Sequence, residues 1–172
     1  MNDEQIRQTA ALLKQLEPGF LPYPIFEQIA RLVTLPIIEF IPLRFHDGQV
    51  EVLLIERPAD DPFWPGLLHT PGTVIRATDL HRPEADNDVA FQRILHDELK
   101  DTAIGQPHYV GSLFHQSKRG TEQAQLYWVE VTGEPQIGKF YRVAELPASL
   151  IDSQVTFINA AALNYQQLNH TS

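Results

Sequence analysis

The chain has 172 residues, of which 43% are hydrophobic, 20% charged and 9% aromatic. That is the composition of one ordinary globular domain, and it excludes collagenous, fibrous and wholly disordered chains. A domain of this size removes roughly 70% of its unfolded surface from water, so a core forms without staples. The absence of cysteine removes thiolate metal sites, iron–sulfur clusters, thiol nucleophiles and disulfide frameworks together. Thirteen Lys+Arg against 22 Asp+Glu, a formal net charge of -9, repel polyanions and argue against binding to polymeric nucleic acid or an anionic membrane. The acidic start Met1-Asn2-Asp3-Glu4 lacks the basic region and apolar run of a targeting signal, so a cytoplasmic location is expected. The longest apolar stretch, residues 32–43, carries Pro36, Glu39 and Pro42 and is too short to span a bilayer.

In chain order, Ile6, Ala10, Leu13 and Leu16 recur at helical spacing and predict an amphipathic helix over 3–16, before Pro18-Gly19. A second short helix is expected over 24–33. Residues 37–45 and 50–56 are rich in β-branched and aliphatic side chains, and His46-Asp47-Gly48-Gln49 between them predicts a hairpin with an Asp-Gly turn. Residues 58–71 read as a loop bearing proline and tryptophan, and 73–76 as a short β-like run. A long periodic segment follows Asn87-Asp88, either of which can cap a helix, and continues through Ala90, Phe91, Ile94, Leu95 and Leu99 to about Ala103. Strands are then expected over 109–115, 125–131 and 138–143, and a closing helix over 155–168. Helices on both faces of a mixed sheet are the economical packing of this order, an α+β chain folded as an α/β/α sandwich. Residues 1–35 form an N-terminal helical extension and 36–172 the main domain.

The chemistry concentrates on the long helix, where Arg93, Asp97 and Glu98 lie within two turns. Mg²⁺ is usually held by one or two carboxylates together with substrate phosphates, so such a cluster suits phosphate chemistry. A solvated face with an Arg93–Asp97 pair at i,i+4 is the plain alternative. No two of the histidines, among them His69, His81, His96, His108 and His115, share metal-ligand spacing on one helix face, so no site is assigned to them. His115, near a strand end, is a candidate for assisting catalysis or for a buried structural role. Phe63 and Trp64 suit either stacking on a base or covering a core edge, and Lys118 and Arg119 either phosphate contact or a solvated loop. There is no glycine-rich phosphate loop and no nucleophile elbow.

The run Pro71-Gly72-Thr73 to Asp79, followed by Arg93-Ile94-Leu95-His96-Asp97-Glu98, resembles the Nudix box of MutT-like Nudix hydrolases. The family pattern is G-x5-E-x7-R-E-U-x-E-E-x-G-U, with U aliphatic. Pro71-Gly72 matches the usual lead-in, Thr73 stands at the first Gly, Asp79 at the first Glu, Arg93 at the Arg, Leu95 at the aliphatic position and Asp97-Glu98 at the paired acids. Arg57, the loop 63–68 and the run Phe140-Tyr141-Arg142 to Leu146-Pro147 resemble the family outside the box. The box is degenerate. Ile94 stands where the family has a Glu, Lys100 stands at the second Gly, and 13 residues separate Asp79 from Arg93 where the pattern has seven, the excess lying in 80–88.

The resemblance implies a Nudix-type fold and a magnesium- or manganese-dependent hydrolase that cleaves a pyrophosphate bond in a nucleoside diphosphate derivative. Asp97 and Glu98 would be the metal ligands and Arg93 would orient them, making Glu98, Arg93 and Asp97 the catalytic set. Asp79 would anchor its loop or Arg93. Asp101, at i+4 from Asp97, and Glu122, in a glycine-bearing segment, are candidates for a further metal ligand. The alternative is a catalytically impaired Nudix-fold module that binds a ligand or regulates. A small nucleotide derivative is the expected partner of either, and the 1–35 extension is expected to pack on the domain or form a homodimer contact.

Overall fold

A strand that is apolar on both faces needs cover on both sides, and β1 (Leu35–His46) is such a strand. By the pleat's period of two, Leu35, Ile37, Ile41 and Leu43 face one core while Ile38 and Phe40 face another. The computed structural model describes residues 1–80 and 88–169, with the side chains of Leu80, Asp88 and Asn169 left out. Asn87, one of the two expected helix caps, His81 and residues 81–87 of the inserted stretch therefore lie outside the described residues, as does the side chain of Asp88, the other cap candidate.

Along one edge, β1 pairs in parallel with β6 (Thr121–Glu130). Along the other it pairs antiparallel with β4 (Gly72–Val74) and then with β2 (Gln49–Glu56). β3 (Leu68–His69), β5 (His108–Gln116) and β7 (Lys139–Arg142) complete a seven-stranded mixed sheet of order β3-β2-β1-β6-β5, with β4 on β1 and β7 on β2. The first face is covered by α4 (Asp152–Asn169) through Phe157, Ile158, Ala161 and Tyr165. The second is covered by α3 (Asp88–Arg93) and the π-helical turn Ile94–Glu98, through Ala90, Ile94 and Leu99. The architecture is the expected α/β/α sandwich with a mixed sheet. Among the described residues no helix is long and apolar enough to cross a membrane.

Local chemistry explains the boundaries. Asp47 (φ 48°) and Gly48 (φ 77°) are both left-handed, the geometry that a two-residue type I′ hairpin turn demands. α1 (Asp3–Leu13) opens on a capping box in which the Asn2 side chain accepts from Gln5 N and the Gln5 side chain from Asn2 N. It buries no residue, and Ile6, Leu12 and Leu13 are each at least half exposed. α2 (Tyr23–Ala30) has Pro24 in its first turn, as suits a residue with no N–H to offer.

The segment expected to stay helical to about Ala103 stops at Glu98. Leu99 N donates to Ile94 O and Asp101 N to Leu95 O, wide turns that unwind the helix, and Lys100 (φ 51°) and Asp101 (φ 58°) are left-handed. Lys100 thus occupies the conformation that the resembled pattern gives to glycine, at the cost a side chain pays there.

Candidate functional site

The pleat that buries Ile37 and Ile41 also turns Glu39 toward α4. Glu122 of β6 lies opposite Leu35 and His115 of β5 opposite Glu122. Arg57 and Trp64 come from the segment after β2, His69 from β3, Gly72 from β4, Arg119 from the β5–β6 turn, and Ser153 and Gln154 from the first turn of α4. Together these line one cleft.

Two arginines are fixed at this cleft by carboxylates. Arg57 pairs with Asp61 at 2.6 Å, and Asp61 also accepts from the backbone N–H groups of Phe63 (2.9 Å) and Trp64 (2.8 Å), which closes the loop by a turn that aspartate favours. Burial raises the Asp61 carboxyl, but those two backbone donors and Arg57 outweigh it and hold it below its ordinary range. Arg119 pairs with Glu122 at 2.7 Å, and His115 Nε2 approaches Glu122 at 3.0 Å. Burial again raises the Glu122 carboxyl, and the hydrogen bond with His115 and the Arg119 charge more than offset it. Both guanidiniums approach the Trp64 ring, which lies 5.8 Å from the Arg57 carbon and 5.1 Å from that of Arg119, within the range of cation–π attraction. Lys118 Nζ donates to Phe63 O at 2.7 Å, tying the β5–β6 turn to this loop, and Phe63 packs on Tyr23 and Trp64.

The floor is uncharged. Burial pushes the Glu39 carboxyl up to about 8, only partly countered by the Thr70 hydrogen bond and by Arg119. Burial and the Arg57 charge push the His69 imidazole down to about 4. Gly72 faces Glu39 across the β1–β4 pair, and a Cβ there would lie 2.6 to 2.8 Å from the Glu39 carboxyl atoms. Gly72→Ala is therefore expected to displace Glu39 and cost about 1–3 kcal/mol, as overpacking does, read as a lower urea midpoint; an unchanged midpoint would show that Glu39 has room to move.

The two buried groups set opposite pH dependences. Glu39 is held protonated by folding, so its contribution is full at low pH and is lost as pH rises through the folded value of about 8. His69 is held neutral, so its contribution is present above the ordinary imidazole value of 6.5 and is lost as pH falls toward about 4. Between pH 6.5 and 8 the Glu39 slope acts without the opposing one. Stability is expected to fall across that window, by at most about 1.4 kcal/mol per pH unit, and Glu39→Gln is expected to flatten it in urea melts at each pH.

The residues that the sequence singled out are distributed rather than gathered. Arg93 pairs with buried Asp79, not with Asp97, and also donates to Val74 O at 2.9 Å and Thr73 Oγ1 at 3.4 Å. Asp97 is exposed. Asp101 turns away to His96, at 3.3 Å with both side chains largely exposed, because the helix that would have aligned it with Asp97 has already ended. Glu98 lies 3.9 Å from Nε2 of His69, which lines the cleft, and burial raises its carboxyl. Glu122 is inside the cleft but is taken by Arg119 and His115. Ile94, where the resembled pattern has an acid, is fully buried among Ile38, Phe40, Leu53 and Val129. Among the described residues no three His, Asp or Glu side chains are arranged to hold a metal ion.

The sequence reading missed Glu39, Thr70 and Gln154 and assigned no role to His69. One signal was available for Glu39, a lone carboxylate inside the apolar run 32–43; lone charges are almost never fully buried without a partner.

The mixed sheet between α4 and the α3 layer, entered by a Pro-Gly lead-in and an Asp79–Arg93 tie, is the Nudix fold. No protein-family model matches the chain, and no curated protein matches it. Solved structures do. The Nudix domain of Shewanella oneidensis NrtR, complexed with ADP ribose, has TM-score 0.55 and 16% identity over 98% of this chain and 99% of that one. The longer NrtR chain has TM-score 0.57 and 18% identity, over 78% of this chain and 64% of that one, so the present chain spans about two thirds of it. A mutT/nudix family protein from Listeria innocua has TM-score 0.58 and 15% identity over 80% and 98%. At these identities the likeness defines the fold.

Proposed function

We propose that the chain binds a nucleoside diphosphate derivative in this cleft and does not hydrolyse it: a catalytically impaired Nudix-fold module. The observation that carries the reading is the Arg57–Trp64–Arg119 arrangement, two guanidiniums oriented by Asp61 and Glu122 and both near one indole. Planar guanidiniums match phosphate oxygens in fork geometry, and the first turn of α4, which lines the same cleft, turns the positive end of an 18-residue helix toward an anion. The resemblance to a Nudix domain complexed with ADP ribose supports the ligand class. Ile94 in the core, with the carboxylates dispersed, supports binding over turnover.

The test is isothermal titration with ADP-ribose, with Arg119→Lys beside the native chain. Lysine keeps the charge but loses the fork and the ring contact, so affinity is expected to drop about tenfold, the loss of one charge-assisted hydrogen bond, with the melting temperature little changed. Equal affinity in the variant would remove the arginine from the site.

A second reading, magnesium- or manganese-dependent cleavage of the pyrophosphate bond, is favoured by Glu98 beside His69. Under it, turnover appears with added Mg²⁺ or Mn²⁺ and is abolished by Glu98→Gln with little loss of stability, since that side chain is one-third exposed.

A further inference from the structure

Thr70 stands between two acceptors. Its Oγ1 lies 3.1 Å from Glu39 Oε2 and within hydrogen-bonding reach of Gln154 Oε1. The Thr70 backbone N–H donates to that same Gln154 atom at 3.2 Å, and a backbone donor requires an acceptor, so the amide oxygen of Gln154 is fixed in this position. A threonine hydroxyl has one proton and can donate to only one of the two groups. With Glu39 ionised, one buried oxygen pair would face another with no hydrogen between them. The count closes when Glu39 carries the proton. In that form its O–H donates to Thr70 Oγ1 and frees the Thr70 proton for Gln154 Oε1; in the ionised form Thr70 donates to Glu39 instead, the arrangement that opposes the effect of burial.

We propose that Glu39, buried beside Thr70 and Gln154 as a neutral acid, is the residue that makes the cleft selective for a phosphate-bearing anion. The charged groups around it are otherwise balanced. Arg119 from the β5–β6 turn is matched by Glu122 of β6, which His115 of β5 also contacts. Arg57 after β2 is matched by Asp61. His69 of β3 is uncharged, with Glu98 beside it; β4 brings the uncharged Gly72 and Thr73, and α4 brings Ser153 and Gln154. With Glu39 neutral, an incoming phosphate meets guanidiniums, the start of α4 and no negative charge at the floor; with Glu39 ionised, it meets one there. Burial favours the neutral form, placing the change at about pH 8.

This inference rests on the binding reading above, so its test separates the two. ADP-ribose, whose two phosphates lose no proton between pH 7 and 9.5, is titrated into the native chain and into Glu39→Gln. Glutamine is neutral at every pH, and its amide donates to Thr70 as the neutral acid does. Native affinity is expected to fall about tenfold per pH unit above 8, while that of Glu39→Gln stays flat. A flat native profile, or the same fall in Glu39→Gln, overturns the proposal. No binding to either chain at pH 7 overturns the binding reading and the selectivity with it. The proton itself is read without ligand: an infrared carboxylic-acid stretch present at pH 7, lost at pH 9.5 and missing from Glu39→Gln is expected, and its absence from the native chain at pH 7 overturns the neutral acid.

Discussion

Ile94→Glu is expected to cost about 4 kcal/mol of folding stability, the scale of an uncompensated buried charge, and to restore no hydrolysis. The substitution rebuilds the acid of the resembled pattern, so from sequence alone it looks like a repair. In the fold, Ile94 is fully buried, and its neighbours Ile38, Phe40, Leu53, Ile55 and Val129 offer no donor. A carboxylate there must either ionise in a medium that cannot solvate it or stay protonated and unpartnered. In a chain of this length 4 kcal/mol corresponds to about 8–16 °C in melting temperature. Ile94→Val, which removes one methylene, is the control and should cost about 1 kcal/mol. An unchanged melting temperature together with new metal-dependent turnover would place the side chain in the cleft instead of the core.

Arg93→Ala is expected to be nearly as costly, at about 3–5 kcal/mol, because it strands Asp79. The Asp79 side chain is 3% exposed and that of Arg93 16%. Through this one residue the 3-10 turn Ala77–Leu80, β4 and α3 are fastened together, since the same guanidinium also donates to Val74 O. Arg93 is thus a tie between elements and not an orienter of Asp97. The double variant Asp79→Asn/Arg93→Ala removes the stranded charge and is expected to regain about 1–2 kcal/mol over Arg93→Ala alone, the coupling that a double-mutant cycle isolates. Chemical denaturation of the four proteins measures it. A single variant within 0.5 kcal/mol of the native chain would contradict the tie.

Wherever the information was local, it was legible. The Asp47-Gly48 turn, the aliphatic and β-branched runs of β1 and β2, and the order of helices and strands follow from composition, spacing and residues with one preferred conformation. The anchoring of Arg93 by Asp79 was legible too, though only through resemblance to a box. What spacing does not carry is which face a helix residue finds. Ile94 reads as a replaced acid in the pattern, yet its apolar neighbours Ala90 and Leu99 decide that it packs inward. Nor does spacing reveal the end of that helix, where two non-glycine residues take a left-handed backbone. The cleft is assembled from pairs far apart in the chain, Thr70 with Glu39 across 31 positions and with Gln154 across 84. No local motif encodes such pairs; they exist only once the sheet has brought β1, β3 and α4 together.

What the fold keeps at this cleft is positive charge held in place, a neutral floor and the start of a long helix. What it lacks, among the described residues, is a converging set of acids. The proposed reading, binding without turnover, rests on that combination. The most direct test is a ³¹P magnetic resonance spectrum of ADP-ribose incubated with the chain and Mn²⁺-free Mg²⁺ at pH 7. The expected result is diphosphate resonances that broaden or shift with added protein and keep their full intensity over hours. New monophosphate resonances that grow with time, need Mg²⁺ and vanish in Glu98→Gln would contradict the account and establish a hydrolase.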